Sequence, residues 1–498
     1  MNSLPSASIG EYQSSHSNIF RRIFSFPLML ASLLTMLGTL TVRARFNDPD
    51  MWWQLKTGQI IWTTHTIPTN DLFSYTTNHQ PLIPHEWLSQ VLIYSAYHWG
   101  GYTGLMLWLY FFTSALVVVG YILCALYSGN PKTAFAGALI IWFFSTTVLA
   151  IRPQIVGYLL LTIELLLVHL GSTRSPRWFF ALPPLFALWV NCHGSFMFGL
   201  LVLGILLLCS FFDLQAGSLV SSRWDFSRQK ILILTILLST AALFLNPIGL
   251  KQVLYPVNTL FHQPIGLSQI EEWQPLRMGD PRGFVLFGIL VCIFLLLVTR
   301  RSKLYLNELL LLIAGTVFAI SHLRMTILFG IFAAPLFSRL ISTSWDEYDA
   351  KRDHPLANLS LVLVAALITI LSFPNRQDIT KQIDTGNPVK AVQFIKDSQL
   401  SGHMLNAYDY GGYLIWALPE HPDFIDGRAD VYEWAGVLEE VRRWATLEED
   451  PNILLSKYNV DFCLLERRSA IANVLPLMRN WKLVYSDDAS QVFVRSGP

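Results

Sequence analysis

Charge is what this sequence has least of. Only 14% of its 498 residues are Asp, Glu, Lys or Arg, against about 25% in an ordinary soluble domain. Its 35 basic and 34 acidic residues leave a net charge of +1, so the basic surplus of a nucleic-acid binder is missing and no nucleic-acid partner is expected. Cysteine is scarce too. Cys124, Cys192, Cys209, Cys292 and Cys463 show no metal-ligand spacing, and four lie in or beside apolar runs, so no disulfide framework is implied. There is no internal repeat and no low-complexity stretch, and the composition disfavours a disordered or fibrous chain.

What the chain has in excess is apolar surface: 53% of its residues are hydrophobic and its mean hydropathy is +0.43. One soluble core cannot hide so much, because single cores stop growing near ~250–300 residues. An α-helical polytopic membrane protein is expected. Runs near the membrane-spanning length of about 20 residues fall at 24–43, 103–127, 133–150, 154–171, 178–191, 194–212, 230–245, 284–299, 304–321, 325–341 and 357–373, which makes about eleven spans. The first run is too long for a signal-peptide core of about 7–15 residues and lacks a small-x-small cleavage site, so it reads as an anchor. Lys and Arg favour one set of connections, among them Arg174, Arg177, Arg223, Arg228, Lys230, Arg300, Arg301 and Lys303. That bias puts residues 1–23 in the cytoplasm and, with an odd span count, everything after Phe373 outside. The expected organisation is a membrane domain at 24–373, with long outer loops at 44–102 and 246–283, followed by an extracytoplasmic domain at 374–498.

The tail has the composition of a small soluble α/β domain. Its pattern predicts helices at 388–399, 412–418, 433–447 and 451–458, and strands at 403–406, 423–426, 461–465, 481–485 and 491–495.

Suggestive polar residues gather on the outer side, where loops on a rigid scaffold tend to carry function. The first outer loop opens NDPDMWWQLKTGQIIW at 47–62. Asp48 and Asp50 can hold a hard cation such as Mg²⁺ or Mn²⁺, or one of them can take a proton from a hydroxyl. The same residues, with Pro49 between them, also make an ordinary helix start, and both readings stay open. His85 and Glu86 lead an amphipathic helix and pair a possible ligand with an acid. Short outer turns carry Arg152, His193, His322 and Arg324. The arginines can grip a phosphate or snorkel to headgroups, and the histidines can be structural. In the second outer loop Glu271 or Glu272 can complete a cation site; being adjacent, they point to opposite sides. In the tail, Tyr408, Asp409 and Tyr410 precede two glycines and form either a carbohydrate- or peptide-binding lip or a strand–turn–helix junction. Asp426, Gly427 and Arg428 read as a turn with an ion pair.

The order of these features resembles the C-type (GT-C) glycosyltransferases, which transfer sugars from polyprenyl-phosphate or -diphosphate carriers. Residues 48–88, with DPDMWW, the LKTGQII that follows, IPTNDLFSYT and HEWL, are most similar to the RgtA/B/C/D-like and protein O-mannosyltransferase-related group. Tyr408-Asp409-Tyr410-Gly411 is similar to the aromatic-Asp-Tyr-Gly motif of oligosaccharyltransferase catalytic subunits, but lacks the paired tryptophans, and no second DxD follows. The resemblance implies a lipid-linked sugar donor, a first-loop acid (Asp48 or Asp50) as base or metal-linked acid, and an acceptor near Tyr408, Asp409 and Tyr410. It also implies a bacterial inner or cell membrane, with membrane lipids as surroundings. The acceptor, whether protein, lipid or polysaccharide, stays open. The rivals are a transporter or flippase of lipid-linked sugars and a non-catalytic membrane subunit. Transporters favour repeats and mid-membrane charges, whereas the polar residues here collect at one face.

Overall fold

The computed structural model describes residues 24–77, 80–262, 265, 268, 270–277 and 279–496. The expected cytoplasmic segment 1–23 lies outside them.

Among the described residues five helices are long and apolar enough to cross a membrane: Trp87–Ser128, Gln154–Thr173, Pro281–Arg300, Leu323–Ser342 and Pro355–Ser372. The count of eleven is thereby corrected. The other expected spans are shorter helices: Phe26–Val42, Pro131–Ser145, Leu182–Cys192, Phe196–Ser210, Phe226–Ala242 and Leu306–Ser321. The run at 133–150 leaves the helix after Ser145, ahead of the Arg152-Pro153 turn. The run at 178–191 spends its first residues on a 3₁₀ turn, Pro176–Ala181, which Ser175 caps.

Helix Thr326–Ser342 is the axis of the bundle, with Thr326 to Pro335 buried without a break. Pro281–Arg300 and Pro355–Ser372 stand at its periphery and expose Phe284, Phe287, Phe294, Leu363 and Ile370. Such a surface is stable only against an apolar solvent. At one end of the bundle the strands Leu214–Ala216, Leu219–Ser221 and Leu304–Tyr305 form a small sheet that the sequence pattern did not reveal. The opposite end carries the two long loops and the tail. There Trp87–Ser128 fuses the amphipathic helix and the following span, with a break at Gly101, whose φ is 58°.

The tail is built on a four-stranded sheet in the spatial order 403–406, 460–466, 490–495, 481–486. The first pair is parallel and the others antiparallel. Two expectations fail here. Residues 423–426 form no strand, because their backbone is used elsewhere. Asp423 bonds to Phe73 and Tyr75 of the first loop, and Asn406 holds Phe424 and Ile425. The helix expected at 433–447 is divided into Ala429–Trp434 and Val437–Ala445. Met404, Tyr413, Phe462 and Val492 of the tail join one continuous core with the membrane helices, so tail and bundle pack as one body.

Candidate active site at the junction of loop and tail

The first loop turns into helix Asp50–Thr64 through an Asx-type bond: Asp48 Oδ1 accepts from the Asp50 amide at 2.9 Å. Carboxylates at a helix N-terminus are favoured by its dipole, so the helix-start reading is satisfied. It does not exhaust the two acids. Arg152, from the turn before helix Gln154–Thr173, donates through Nε to both Asp48 oxygens at 2.9 and 2.8 Å. Its Nη1 lies 3.0 Å from Asp50 Oδ2, and Trp53 Nε1 donates to Asp50 Oδ1 at 3.2 Å. Burial is the largest influence on Asp50 and, with the Asp48 charge, pushes its carboxyl up to about 6 despite the opposing pull of Arg152. Burial works against the Arg152 charge, but Asp48, Asp50 and Glu272 more than offset it and raise its pKa.

Glu272 links this cluster to the second arginine. Its Oε2 lies 3.7 Å from Arg152 Nη1 and 3.9 Å from Arg324 Nη1, distances too long for hydrogen bonds. Glu271 turns away and is exposed, as adjacency requires. Arg324 donates to Gln154 Oε1, and its guanidinium lies 4.6 Å from the Trp273 ring centroid. His322 braces that ring: Nδ1 lies 2.8 Å from the Trp273 carbonyl, which only accepts, so Nδ1 carries the proton.

A second polar group sits alongside. Glu86 Oε1 lies 3.6 Å from His85 Nε2 and 3.4 Å from His193 Nε2. The Ser195 amide donates to His193 Nδ1 at 3.1 Å, so the remaining ring proton is on Nε2, facing Glu86. Burial, helped by the charges of His85 and Arg324 and opposed by Glu86, pulls His193 down to about 4. It is therefore neutral at pH 7. His85 stacks on Tyr255 at 3.9 Å, and the Tyr255 hydroxyl donates to Asp430 at 2.8 Å.

The tail closes over the first acids. A methyl group on Gly427 would meet Asp50 Oδ1, and one on Gly412 would meet the Pro49 carbonyl. Next to Gly427, Arg428 donates to Asp426 and to Asp71 of the first loop, and the Tyr432 hydroxyl donates to Asp426 at 2.7 Å. Burial raises the pKa of both neighbouring acids here. At Asp426 the Arg428 charge and bonds reverse the sign and lower it, whereas Asp423, beside the Asp426 charge, is pushed well up. Of the tail motif, Tyr408 is close enough to Asp50 for its charge to act there, and Asp409 is exposed. Tyr410 is buried, with its hydroxyl donating to the Ala489 carbonyl at 3.1 Å, so that group works within the tail.

The structure thus brings Asp48, Asp50, Arg152, Glu272 and Arg324 together, with His85, Glu86 and His193 as a neighbouring group. Sequence reasoning missed Trp53, Gln54, Gln90, Tyr255 and Asp430. Polarity inside an otherwise apolar helix start was the one available signal, for Gln54 and Gln90.

The acids do not fit a shared divalent cation as arranged. Both Asp48 oxygens are engaged by Arg152 and each Asp50 oxygen has a donor. The guanidinium therefore stands where a cation bridging the pair would sit.

No protein-family model and no curated protein matches the sequence. Among solved structures the chain is similar to the oligosaccharyltransferase of Archaeoglobus fulgidus tethered to an acceptor peptide containing the NVT sequon, with a TM-score of 0.55, 13% identity, and 96% of this chain and 75% of that chain covered. The apo form of that enzyme gives 0.54 at 13% identity, covering 95% and 75%. ArnT from Cupriavidus metallidurans, bound to undecaprenyl phosphate, gives 0.54 at 12% identity, covering 95% and 99%. At this identity the likeness is one of fold. The chain is a polytopic α-helical membrane protein with a C-terminal α/β domain, and its fold is similar to that of these enzymes.

Proposed function

We propose that this chain is an integral-membrane glycosyltransferase that moves a sugar from a polyprenyl-phosphate or -diphosphate donor to an acceptor on the extracytoplasmic face. The observation that carries the reading is Asp50: a half-buried carboxyl near pKa 6, paired with Arg152 at 3.0 Å, at the mouth of a membrane bundle. A general base works best when its pKa lies close to the operating pH.

Asp50 takes the proton from the acceptor hydroxyl as its oxygen attacks the anomeric carbon of the sugar. The carbon–oxygen bond to phosphate breaks, and the bonding pair leaves with the phosphate. Configuration inverts, because attack comes from the side opposite the leaving group. Asp48 fixes Arg152 and so positions Asp50. Arg152 and Arg324 share Glu272 only loosely, and a donor phosphate displaces that carboxylate and meets both guanidiniums. Stabilising charge where it develops is commonly the largest catalytic contribution. Tyr408 and Asp409, at the lip of the tail, face the acceptor side. The gathering of outer-loop acids, arginines and tail at one end supports an outward-facing site and residues 374–498 as an extracytoplasmic domain.

The test is transfer from radiolabelled polyprenyl-phosphate sugars by the purified protein. Asp50→Asn is expected to abolish transfer while keeping expression and donor binding; full activity in that variant overturns the assignment.

A further inference from the structure

Between the start of helix Asp50–Thr64, the His85–Glu86 turn, the second outer loop and the tail lies a cavity of about 40 Å³, lined by Trp53, His85, Glu86, Gln90, Tyr255 and Asp430 among others. One water needs roughly 10–15 Å³ measured in this way. The space therefore admits a hydroxyl or hydroxymethyl group and not a whole sugar ring.

Its polarity is one-sided. Glu86 Oε2 accepts from Gln54 Nε2 at 2.9 Å. Gln54 Oε1 then faces Gln90, whose Nε2 donates to it at 2.7 Å. A carboxylate only accepts, so the orientation of both amides follows outward from Glu86. Gln90 Oε1 is left without a hydrogen-bond partner, although the residue is only 3% exposed. His85 adds no free donor on this wall: its Nδ1 faces the Ile83 carbonyl at 3.1 Å and its Nε2 lies 3.6 Å from Glu86 Oε1.

Donors on the same wall are already engaged. Trp53 Nε1 donates to Asp50, the Thr57 hydroxyl donates to the Trp53 carbonyl, and Arg428 donates to Asp426 and Asp71. The Tyr255 hydroxyl is spent on Asp430. A buried acceptor left without a donor is costly, so the cavity calls for an occupant that brings hydrogen-bond donors. The Trp53 indole is the wall shared with Asp50, which places the cavity about one ring width from the proposed base.

We propose that this cavity is a specificity subsite that receives a hydroxyl-bearing substituent of the transferred sugar, with Gln90 Oε1 and Glu86 as its acceptors. The inference rests on the transferase reading. It adds that the enzyme selects its sugar by a group remote from the anomeric carbon. A site built to hydrogen-bond a hydroxyl rejects the analogue that lacks it far more strongly than an apolar pocket rejects a missing methylene.

The experiment uses the full-length protein in detergent with a panel of polyprenyl-phosphate hexoses, each lacking one hydroxyl. Equilibrium donor retention and transfer are both measured. One deoxy position is expected to cost the wild type on the order of 10⁴-fold in kcat/KM, with a fall in retention at the same position. In Gln90→Leu the same position costs less than about threefold, because the better substrate loses its advantage. Glu86→Gln, which keeps the shape but offers one acceptor oxygen in place of two, serves as the second variant and is expected to shrink the discrimination at that position. Equal discrimination in wild type, Gln90→Leu and Glu86→Gln overturns the proposal and leaves water as the occupant. Hydroxyl- and Gln90-dependent retention without transfer keeps the subsite and overturns the transferase reading. No retention of any donor overturns both.

Discussion

Gly427 of the tail lies so close to Asp50 of the first loop that a Cβ on the glycine would stand 1.8 Å from the carboxylate Oδ1. No heavy atom tolerates that approach, so position 427 must lack a side chain for Asp50 to hold its place. The tail domain thereby completes the site.

Gly427→Ala should therefore push Asp50 off its bonds to Arg152 and Trp53. A misplacement of about 1 Å near reacting atoms costs on the order of 10² in rate. The expected outcome is a loss of that size in kcat with little change in the donor KM, read in a transfer assay alongside thermal unfolding. An unchanged kcat would show that the tail does not position the base.

The raised pKa of Asp50 has opposite effects on activity and stability. Activity needs the ionised form, so transfer should rise between pH 5 and 7 along a one-proton limb near 6, and a profile flat across that range would remove Asp50 from the base role. Stability runs the other way. Between the ordinary carboxylate value of 3.8 and about 6 the folded state holds a proton that the unfolded chain has released. The protein should then lose stability as pH rises through that window. Asp50→Asn lacks this dependence, so relative to wild type it should gain roughly 1–3 kcal/mol by pH 7, seen as a higher Tm, with no gain near pH 4.

The two arginines should behave differently when replaced. Arg152→Ala leaves Asp48 and Asp50 facing each other without their shared cation, and breaking a buried pair in this way costs about 3–5 kcal/mol. Arg324→Ala strips Gln154, the loosely held Glu272 and the face of the Trp273 ring, none of which is left as an unpaired buried charge, and should keep Tm within a few degrees while raising the donor KM. A matched fall in Tm for both variants would contradict this division.

Arg428→Ala should be the most damaging single change in the tail. The guanidinium is 4% exposed and neutralises Asp426 and Asp71, both fully buried. Its loss leaves two buried anions beside Asp423, at a cost of about 3–5 kcal/mol. The expected signs are a lower Tm and protease cleavage in the first outer loop, because Asp71 is the loop's ionic anchor to the tail. Wild-type protease resistance would show that the Asp423 backbone bonds to Phe73 and Tyr75, with the Ser74 and Thr76 hydroxyls on the Phe424 carbonyl, hold the loop unaided.

Much of this molecule is legible from one-dimensional pattern. Runs of leucine and phenylalanine broken by proline and arginine declare a membrane bundle, because the hydropathy of a stretch is a local property of its own side chains. Short apolar runs at 461–465 and 491–495 mark the central tail strands for the same reason. The span count was not legible in the same way. Where a capping serine and a proline start a tighter turn within an apolar run, composition stays the same while geometry changes, as at Ser175 and Pro176.

The sequence by itself determined the class of protein, the sidedness of its polar residues and the candidate acids and arginines, since each depends on composition and spacing along the chain. The tertiary structure alone decided which of them meet. Asp48 and Arg152 are 104 residues apart and Asp71 and Arg428 are 357 apart, and no local pattern records such a pairing. It also decided that the Arg152 guanidinium lies between Asp48 and Asp50, and that Tyr410 is buried with its hydroxyl on the Ala489 carbonyl. Contacts between distant segments follow from how helices and sheet pack in three dimensions, and burial among them is what moves the Asp50 carboxyl to about 6.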